Sequence, residues 1–180
     1  MIYRRKKDGE RNFSKGFTLV ELIVVIVVIS ILTGTVSVSM NDINQKTRLS
    51  NAATKALADV RYAQELAMSN NREVNIYVTP ASERYDIKWQ DTGAYVPSST
   101  DKAENLAVEF GSGEYKQIDI ISSGVGSRLS FTALGEPMIN GSRFSSETSV
   151  MLLNDEVHVV VYPSGYTCLE EVIGSGCTGC

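Results

Sequence analysis

The feature that most constrains this 180-residue chain is a long apolar run near its start. Residues 17–40 read FTLVELIVVIVVISILTGTVSVSM, and Glu21 is the only charged residue among them. A helix rises about 1.5 Å per residue, so about twenty such residues cross the ~30 Å hydrocarbon layer of a membrane. The run therefore predicts a helix that is long enough to span a bilayer.

Charge divides the chain at the same place. The first sixteen residues contain six Lys or Arg and two Asp or Glu, a net charge of +4, whereas the rest contain eleven and nineteen, a net charge of −8. Basic flanks of a membrane segment stay in the cytoplasm, so residues 41–180 are expected to be translocated. An acidic body also disfavours DNA as a partner, because nucleic-acid binding depends on neutralising phosphates.

Three interpretations of the apolar run remain open. A cleaved secretory signal normally has a shorter apolar stretch with a small-residue site after it. A plain anchor leaves Glu21 unexplained, because a carboxylate inside a bilayer costs about 2.5–3.5 kcal/mol and usually has a partner. Cleavage between Gly16 and Phe17 would supply that partner, since the new α-amino group of Phe17 is positive and Glu21 follows at i+4 on one helix face. In a helical assembly, Glu21 would instead meet Phe17 of a neighbouring subunit and fix the axial register.

Residues 15–32, KGFTLVELIVVIVVISIL, resemble the class III signal of type IV pilins and type II secretion pseudopilins. The resemblance implies a basic leader, residues 1–16, which a prepilin peptidase removes after Gly16. It also implies N-methylation of Phe17, an assembly role for Glu21, and the α+β type IV pilin-like fold, in which a long N-terminal helix packs on an antiparallel sheet. The implied partners are the peptidase, other pilin or pseudopilin subunits, the inner-membrane assembly platform and the lipid bilayer.

Three later segments narrow the resemblance to H-type pseudopilins and FimT-like minor pilins. They are residues 56–78, residues 129–137 (LSFTALGEP) and residues 159–167 (VVVYPSGYT). They imply a minor pilin or pseudopilin subunit of a type IV pilus or type II secretion pseudopilus, assembled through its N-terminal helix. A filament-tip binding module, either an adhesin or a DNA-uptake subunit, is the alternative. The implied location is the bacterial inner membrane, with the leader cytoplasmic and the head periplasmic, and then the filament.

Beyond residue 40, the pattern predicts one α+β domain that begins with helix. Apolar residues recur at steps of three and four, so the helix should continue to about Asn70, with Arg61, Gln64 and Asn71 on its wetter side. Gly34 is either a tolerated glycine or a soft point of the helix. The predicted buried face consists of Leu49, Ala53, Ala56, Leu57, Val60, Ala63 and Ala67.

Alternating apolar residues predict strands in the remainder of the chain. Asn154 and Asp155 predict a tight hairpin turn between the last two strands. Because these strands follow one long helix, they are expected to form an antiparallel sheet that packs on it. The predicted strands are residues 73–79, 84–90, 106–110, 115–122, 128–133, 149–153 and 156–162.

The sequence shows no constellation for catalysis, a cofactor or a metal, so an enzyme is not expected. The single histidine, His158, lies in an alternating strand with no Ser or Cys motif. Three cysteines cannot form a four-sulfur zinc site. A disulfide from Cys168 to Cys177 or to Cys180 is expected outside the cytoplasm, and closing a loop of about ten residues is worth about 2–3 kcal/mol. Cys177 is preferred because Cys180 should fray, and the third cysteine would be free or joined to another chain.

Overall fold

The computed structural model describes most of the chain. The described residues are 16–101, 103–121, 128–171 and 177–178, without the side chains of residues 34–42 and 177–178. The predicted leader, apart from Gly16, therefore lies outside the described residues. The surroundings of Gly34, the predicted soft point, lie outside them as well.

The chain divides into two compact units, Met1–Asp42 and Ile43–Cys180. The second unit is called the head below. Helix α1, Leu19–Asn70, contributes residues to both units. Its length agrees with the prediction of one helix that runs from the apolar segment into the head.

Between Leu19 and Thr33, α1 is mainly apolar, and its two side-chain hydroxyl groups bond to its own backbone. The Ser30 hydroxyl donates to the Ile26 carbonyl at 2.6 Å, and the Thr33 hydroxyl donates to the Ile29 carbonyl at 2.8 Å. Such bonds to the preceding turn satisfy hydroxyl donors locally. No helix in the described part of the chain combines the length and the apolar character that a membrane crossing requires. The predicted span of residues 17–40 includes residues 34–40, whose side chains are outside that part.

In the head, α1 buries one face under the strands. All seven residues that the sequence predicts for this face are buried, and Ala52 joins them. Five of the eight are alanines, whose short side chains allow the strands to approach the helix closely. Each fully buried leucine or valine adds about 1.5–3 kcal/mol to the stability of the fold. The helix therefore supplies apolar area to the core, and its alanines allow close packing.

Helix α1 ends at the predicted place because Asn71 adopts a left-handed backbone. Its φ angle is 50°, and the Arg72 amide donates back to the Ala67 carbonyl at 3.1 Å. This bond satisfies a carbonyl of the last turn in the way that a Schellman motif does. Asn71 is exposed, as the sequence predicts.

Within the described residues, ten strands form two five-stranded antiparallel sheets. The strand bounds are β1 Val74–Thr79, β2 Arg84–Trp89, β3 Ala107–Glu109, β4 Ile120–Ile121, β5 Arg128–Phe131, β6 Pro137–Ile139, β7 Thr148–Leu153, β8 Val157–Val161, β9 Thr167–Glu171 and β10 Cys177–Thr178. The first sheet has the order β3-β2-β1-β5-β6, and the second has the order β10-β9-β8-β7-β4. Buried side chains from both sheets and from α1 belong to one apolar cluster, which gives the head the expected α+β architecture.

The predicted hairpin between β7 and β8 is confirmed. Asn154 and Asp155 have φ angles of 50° and 55°, and the Glu156 amide donates to the Leu153 carbonyl at 3.0 Å. Two successive positive φ angles give the turn whose twist matches that of paired strands. This turn fixes the register in which Leu153 pairs with Val157.

The predicted strands differ from the structure in three respects. The strands form two sheets where one was expected, and β6, β9 and β10 were not predicted. The predicted strand 115–122 reduces to β4, because Tyr115 ends a 3₁₀ turn and Gln117 has a φ of 71°. β6 begins with Pro137 at a sheet edge, where a missing N–H is tolerated but the sequence signal for a strand is weak.

Candidate functional site

Thr18 caps the start of helix α1. Its hydroxyl oxygen accepts a hydrogen bond from the Glu21 amide at 3.2 Å, and its carbonyl accepts one from the Leu22 amide at 3.2 Å. A Thr followed three residues later by Glu is the sequence signature of a capping box. An acidic side chain in the first turn also interacts favourably with the helix dipole. The sequence analysis missed this signal, in which the backbone amide of Glu21 takes part.

Gly16 and Phe17 lie before the cap in exposed, non-helical backbone. Phe17 is 85% exposed, and, apart from the two adjoining residues, no atom of the described residues lies within 4 Å of a Cβ built on Gly16. Because α1 begins after Thr18, Phe17 lies outside the helix and does not share a helical face with Glu21. The bond between Gly16 and Phe17 is therefore accessible in the described part of the chain.

The apolar side chains that follow the cap are exposed all round the helix. From Leu19 to Leu32, the large apolar side chains are between 46% and 76% exposed. A helix that packs along one face buries every third or fourth residue, and that pattern is missing over these residues. An apolar surface of this extent marks a site of association with a membrane or with other proteins.

The cysteine and histidine predictions have different outcomes. Cys168 is buried in β9 and is disulfide-bonded, while the side chains of Cys177 and Cys180 lie outside the described residues, so the pairing stays a prediction. His158 is half-buried in β8, with Nδ1 at 2.8 Å from the Ser149 hydroxyl oxygen. Within the described residues, no three His, Cys, Asp or Glu side chains are placed to hold a metal ion.

The sequence analysis also missed a buried carboxylate in the head. Asp59, 1% exposed, receives hydrogen bonds from the Tyr85 hydroxyl at 2.7 Å and from the Lys55 ammonium at 2.5 and 2.7 Å. Burial, and then the neighbouring Asp59 charge, raise the pKa of Tyr85 well above its usual range. The only sequence signal was the i,i+4 spacing of Lys55 and Asp59, which usually indicates an exposed helix pair.

Arg61 and Gln64 connect α1 to the start of β9 and to the turn that contains Gly135, instead of facing open solvent. The Arg61 guanidinium donates to the Thr167 carbonyl at 2.7 Å, and the Gln64 amide donates to the Gly135 carbonyl at 2.9 Å. Gly165 has a φ of 86°, and a Cβ there would lie 3.2 Å from the Gly135 carbonyl oxygen, so this turn favours glycine. The Gly135 and Gly165 turns belong to the LSFTALGEP and VVVYPSGYT segments, which the fold brings together at one side of α1.

Two crystal structures of the Pseudomonas aeruginosa type IV minor pilin FimU are similar in part. They align over 69% and 67% of this chain and over 90% and 91% of theirs. The identity is 16% in both alignments, and the TM-scores are 0.45 and 0.43.

Sequence comparison identifies the N-terminal segment. Residues 11–37 match the prokaryotic N-terminal methylation motif. Two fimbrial proteins of Pseudomonas aeruginosa are each 31% identical over 78 residues, which is 43% of this chain and 50% of theirs. The chain thus spans about half the length of these relatives. Residues 11–37 thus carry a prokaryotic N-terminal methylation motif, and the similarity to the two fimbrial proteins covers less than half of the chain.

Proposed function

We propose that the chain is a minor pilin or pseudopilin subunit of a type IV pilus or type II secretion pseudopilus. One observation carries the proposal: an apolar helix, exposed on every side, begins at a cap two residues after Gly16, inside the methylation motif. Such a surface is stable only if lipid or other subunits cover it. The chain acts by packing and by setting register, and it turns over no substrate.

The precursor would be processed at its N-terminus. A prepilin peptidase would cut the exposed Gly16–Phe17 bond, remove residues 1–16 and release the Phe17 amine for N-methylation. The support is the accessible, non-helical backbone at this bond. The basic leader would keep this end in the cytoplasm, and residues 17–40 would anchor the chain in the inner membrane.

Glu21 would set the register of assembly. Its exposed carboxylate lies in the first turn of an apolar helix, where a bare charge is costly in lipid. The Phe17 amine of a neighbouring subunit would neutralise it as helices leave the bilayer for the filament. Gly34 would be the point where α1 adjusts as helices pack, and the assembly platform would guide the transfer.

The head, with residues 41–42 before it, would lie in the periplasm and then on the filament. Disulfides persist in that compartment, which agrees with the bonded state of Cys168. Its partner would be Cys177 or Cys180. The two-sheet head would display a surface to neighbouring subunits, while the apolar part of α1 would form the core of the assembly.

Mass spectrometry of the mature N-terminus tests the processing step. The expected mature chain begins at methylated Phe17, and a chain that keeps residues 1–16 in cells with active prepilin peptidase would contradict the proposal. Gly16→Leu should block processing, because it places a bulky side chain at the bond that is cut. Asn51→Leu introduces the same side chain at an exposed helical position of the head and should leave processing normal.

Variants at the helix start separate the proposed register role of Glu21 from the capping role of Thr18. Glu21→Gln keeps the length and hydrogen-bonding capacity of the side chain but removes its charge, and Thr18→Ala removes the cap but keeps the charge. Incorporation into filaments should fall about tenfold or more for Glu21→Gln and much less for Thr18→Ala. Glu65→Gln, at an exposed helical position in the head, is the matched control. Equal losses in the two N-terminal variants would refute the register role.

A further inference from the structure

Strand β2 carries charged side chains on the face of the first sheet that lies away from the core. Tyr85 and Ile87 are buried in the core. Because side chains alternate along a strand, Arg84, Asp86 and Lys88 lie on the opposite face. Two of these three side chains are cations, in a molecule whose net charge is negative.

Strand register extends this charged face across the sheet. Asp86 pairs with Tyr77 of β1, and Tyr77 pairs with Arg128 of β5. Paired residues point to the same side of a sheet, so Arg128 lies on the face that carries Arg84 and Lys88. The basic face is defined here as Arg84, Lys88 and Arg128, with Asp86 and Tyr77 between them.

Two of the cations of the basic face are held in place. Lys88 Nζ lies 3.6 Å from an Asp86 oxygen, 4.5 Å from the Tyr95 ring centre and 5.8 Å from that of Tyr77. The Arg84 guanidinium also donates to Asp86, with Nε at 3.1 Å. The side chains of Arg84 and Lys88 are 35% and 27% exposed, but that of Asp86 is only 12% exposed. The face therefore presents preorganised positive groups, while the carboxylate that orders them lies beneath.

The balance of charge on this face differs from that of the chain. Its three cations face Asp86 and, at the edge strand β3, Glu109, which pairs with Arg84. The paired strand positions of this face thus hold three positive and two negative groups, a net charge of +1, whereas residues 17–180 carry −8. The excess negative charge must lie elsewhere on the chain.

An acidic end of the second sheet carries part of that excess. Asp155 and Glu156 lie at the β7–β8 turn, and Asp119 lies beside it, because its amide donates to the Asn154 side-chain oxygen at 2.7 Å. Asp119, Asp155 and Glu156 are exposed and line one cavity of about 250 Å³. In the part of the chain that the structure describes, none of the three has a salt bridge. These three residues are called the acidic end.

We infer that the basic face of one copy binds the acidic end of a second copy. The two surfaces have opposite charge and lie on different sheets, so the contact is heterologous and can continue from copy to copy. Pairing of two acidic ends is repulsive. The inference deepens the proposed function and rests on it, because it names a contact between heads that would accompany packing of the N-terminal helices.

Charge reversal in pairs tests the contact with the processed full-length chain in detergent micelles. Lys88→Glu with Arg128→Glu should weaken self-association about tenfold or more, and so should Asp119→Lys with Glu156→Lys, which spares the positive φ of Asp155 in the turn. A mixture of the two variants should associate as tightly as the original chain, because each supplies the unaltered surface that the other lacks.

A single change keeps the test valid if the double variant of the basic face unfolds. Arg128→Glu alone leaves the Arg84–Asp86–Lys88 group intact and should still weaken association about threefold or more. Arg143→Glu makes the same change of charge at an exposed arginine outside the basic face. This matched control should change the dissociation constant less than about twofold.

Carbodiimide cross-linking locates the same contact, since it joins amines to carboxylates without a spacer. We expect a linkage between Lys88 of one copy and Asp155 or Glu156 of another. The yield should fall in about 0.5 M salt, because salt screens exposed charges.

Three results would overturn the inference. The first is that the mixed variants fail to restore association, and the second is that neither charge reversal weakens it. The third is that the chain does not self-associate but binds a single-stranded oligonucleotide, and that the Lys88 and Arg128 changes abolish this binding. Mass spectrometry of each variant shows whether its leader has been removed, so a failure of the contact between heads can be distinguished from a failure of the proposed function. Loss of the contact in a chain that begins at Phe17 leaves the subunit proposal standing, whereas an uncut leader contradicts that proposal itself.

Discussion

The two parts of helix α1 have opposite relations to their surroundings. The part that contains Leu19 to Leu32 consists mainly of large apolar side chains exposed on every face. The part within the head buries an alanine-rich face, and most of its other residues are polar or charged. Hydrophobicity alone therefore does not determine burial in this chain. Periodic spacing gives the second part a partner within the fold, while the first requires one from outside.

The largest expected effect comes from placing a carboxylate in each part. Ala56→Asp buries an unpaired charge against the core and should destabilise the head by about 4 kcal/mol or more. In the membrane-anchored subunit proposed above, Val27→Asp should leave the head intact and reduce membrane partitioning, because aspartate in a spanning helix costs about 2.5–3.5 kcal/mol. Protease resistance of the head and flotation with membranes measure the two outcomes. Comparable loss of head stability in both variants would break the distinction between the two parts.

Tyr85→Phe should produce the next largest effect, in the head only. The change removes the hydroxyl that donates to buried Asp59, and hydrogen bonds to charged groups are worth about 1.5–3 kcal/mol. The folded state holds the Tyr85 proton more tightly than the unfolded chain, since its pKa is raised. The stabilisation by the Tyr85 hydroxyl is therefore complete below about pH 10, which is the tyrosine pKa in the unfolded chain. It is lost as pH rises from there through the pKa of Tyr85 in the folded state.

Thermal unfolding of the full chain in mild detergent, measured between neutral and alkaline pH, checks this prediction. The original chain should lose stability more steeply above about pH 10 than Tyr85→Phe, because the variant lacks this titrating group. Tyr77→Phe, at a half-buried position on the other face of the sheet, is the control. Parallel pH profiles for the original chain and Tyr85→Phe would show that the Tyr85 proton does not stabilise the fold.

Gln64→Ala should have a smaller effect, localised where the two turns meet α1. It removes the bond to the Gly135 carbonyl and should cost about 1–1.5 kcal/mol. The variant should also show faster amide hydrogen exchange in the turns that contain Gly135 and Gly165. Glu65→Ala, at the next and exposed position, should change stability by less than about 0.5 kcal/mol. Equal effects of the two changes would mean that the turns do not depend on the helix.

The smallest expected effect is at the other end of the helix. Thr18→Ala removes the cap, which costs about 1 kcal/mol, and should speed amide exchange of the first turn about fivefold. Thr18→Ser keeps the hydroxyl and should restore slow exchange. Neither change should alter the melting temperature of the head. A drop in that temperature would show that the first turn of α1 and the head unfold together.

The features that the sequence predicted correctly have local causes. The face from Leu49 to Ala67 follows from spacing along one helix, and the hairpin follows from two residues, Asn154 and Asp155, that tolerate positive φ. The missed features depend on contacts between distant residues. Asp59 is buried where Tyr85, in another element, donates to it, and no local pattern indicates that meeting.

The same distinction holds at the candidate site. The motif predicted Gly16, Phe17 and Glu21, and the structure places the first two in accessible backbone and the third in the first turn of α1. The i+4 spacing of Phe17 and Glu21 suggested one helix face, but the cap at Thr18 starts the helix later. A capping preference at one residue thus overrides the spacing, so where the helix begins determines which side chains share a face.

The position of the cap has a consequence for maturation. The hydroxyl and the carbonyl of Thr18, and the amides they bind, all belong to residues that follow Gly16. Loss of everything before Phe17 would therefore leave this first turn with the same bonds as before. The precursor would already have the first-turn backbone of the processed chain, and the cut would change only the charge and bulk in front of that turn. Maturation at this end would then be a change of chemistry without a refolding step.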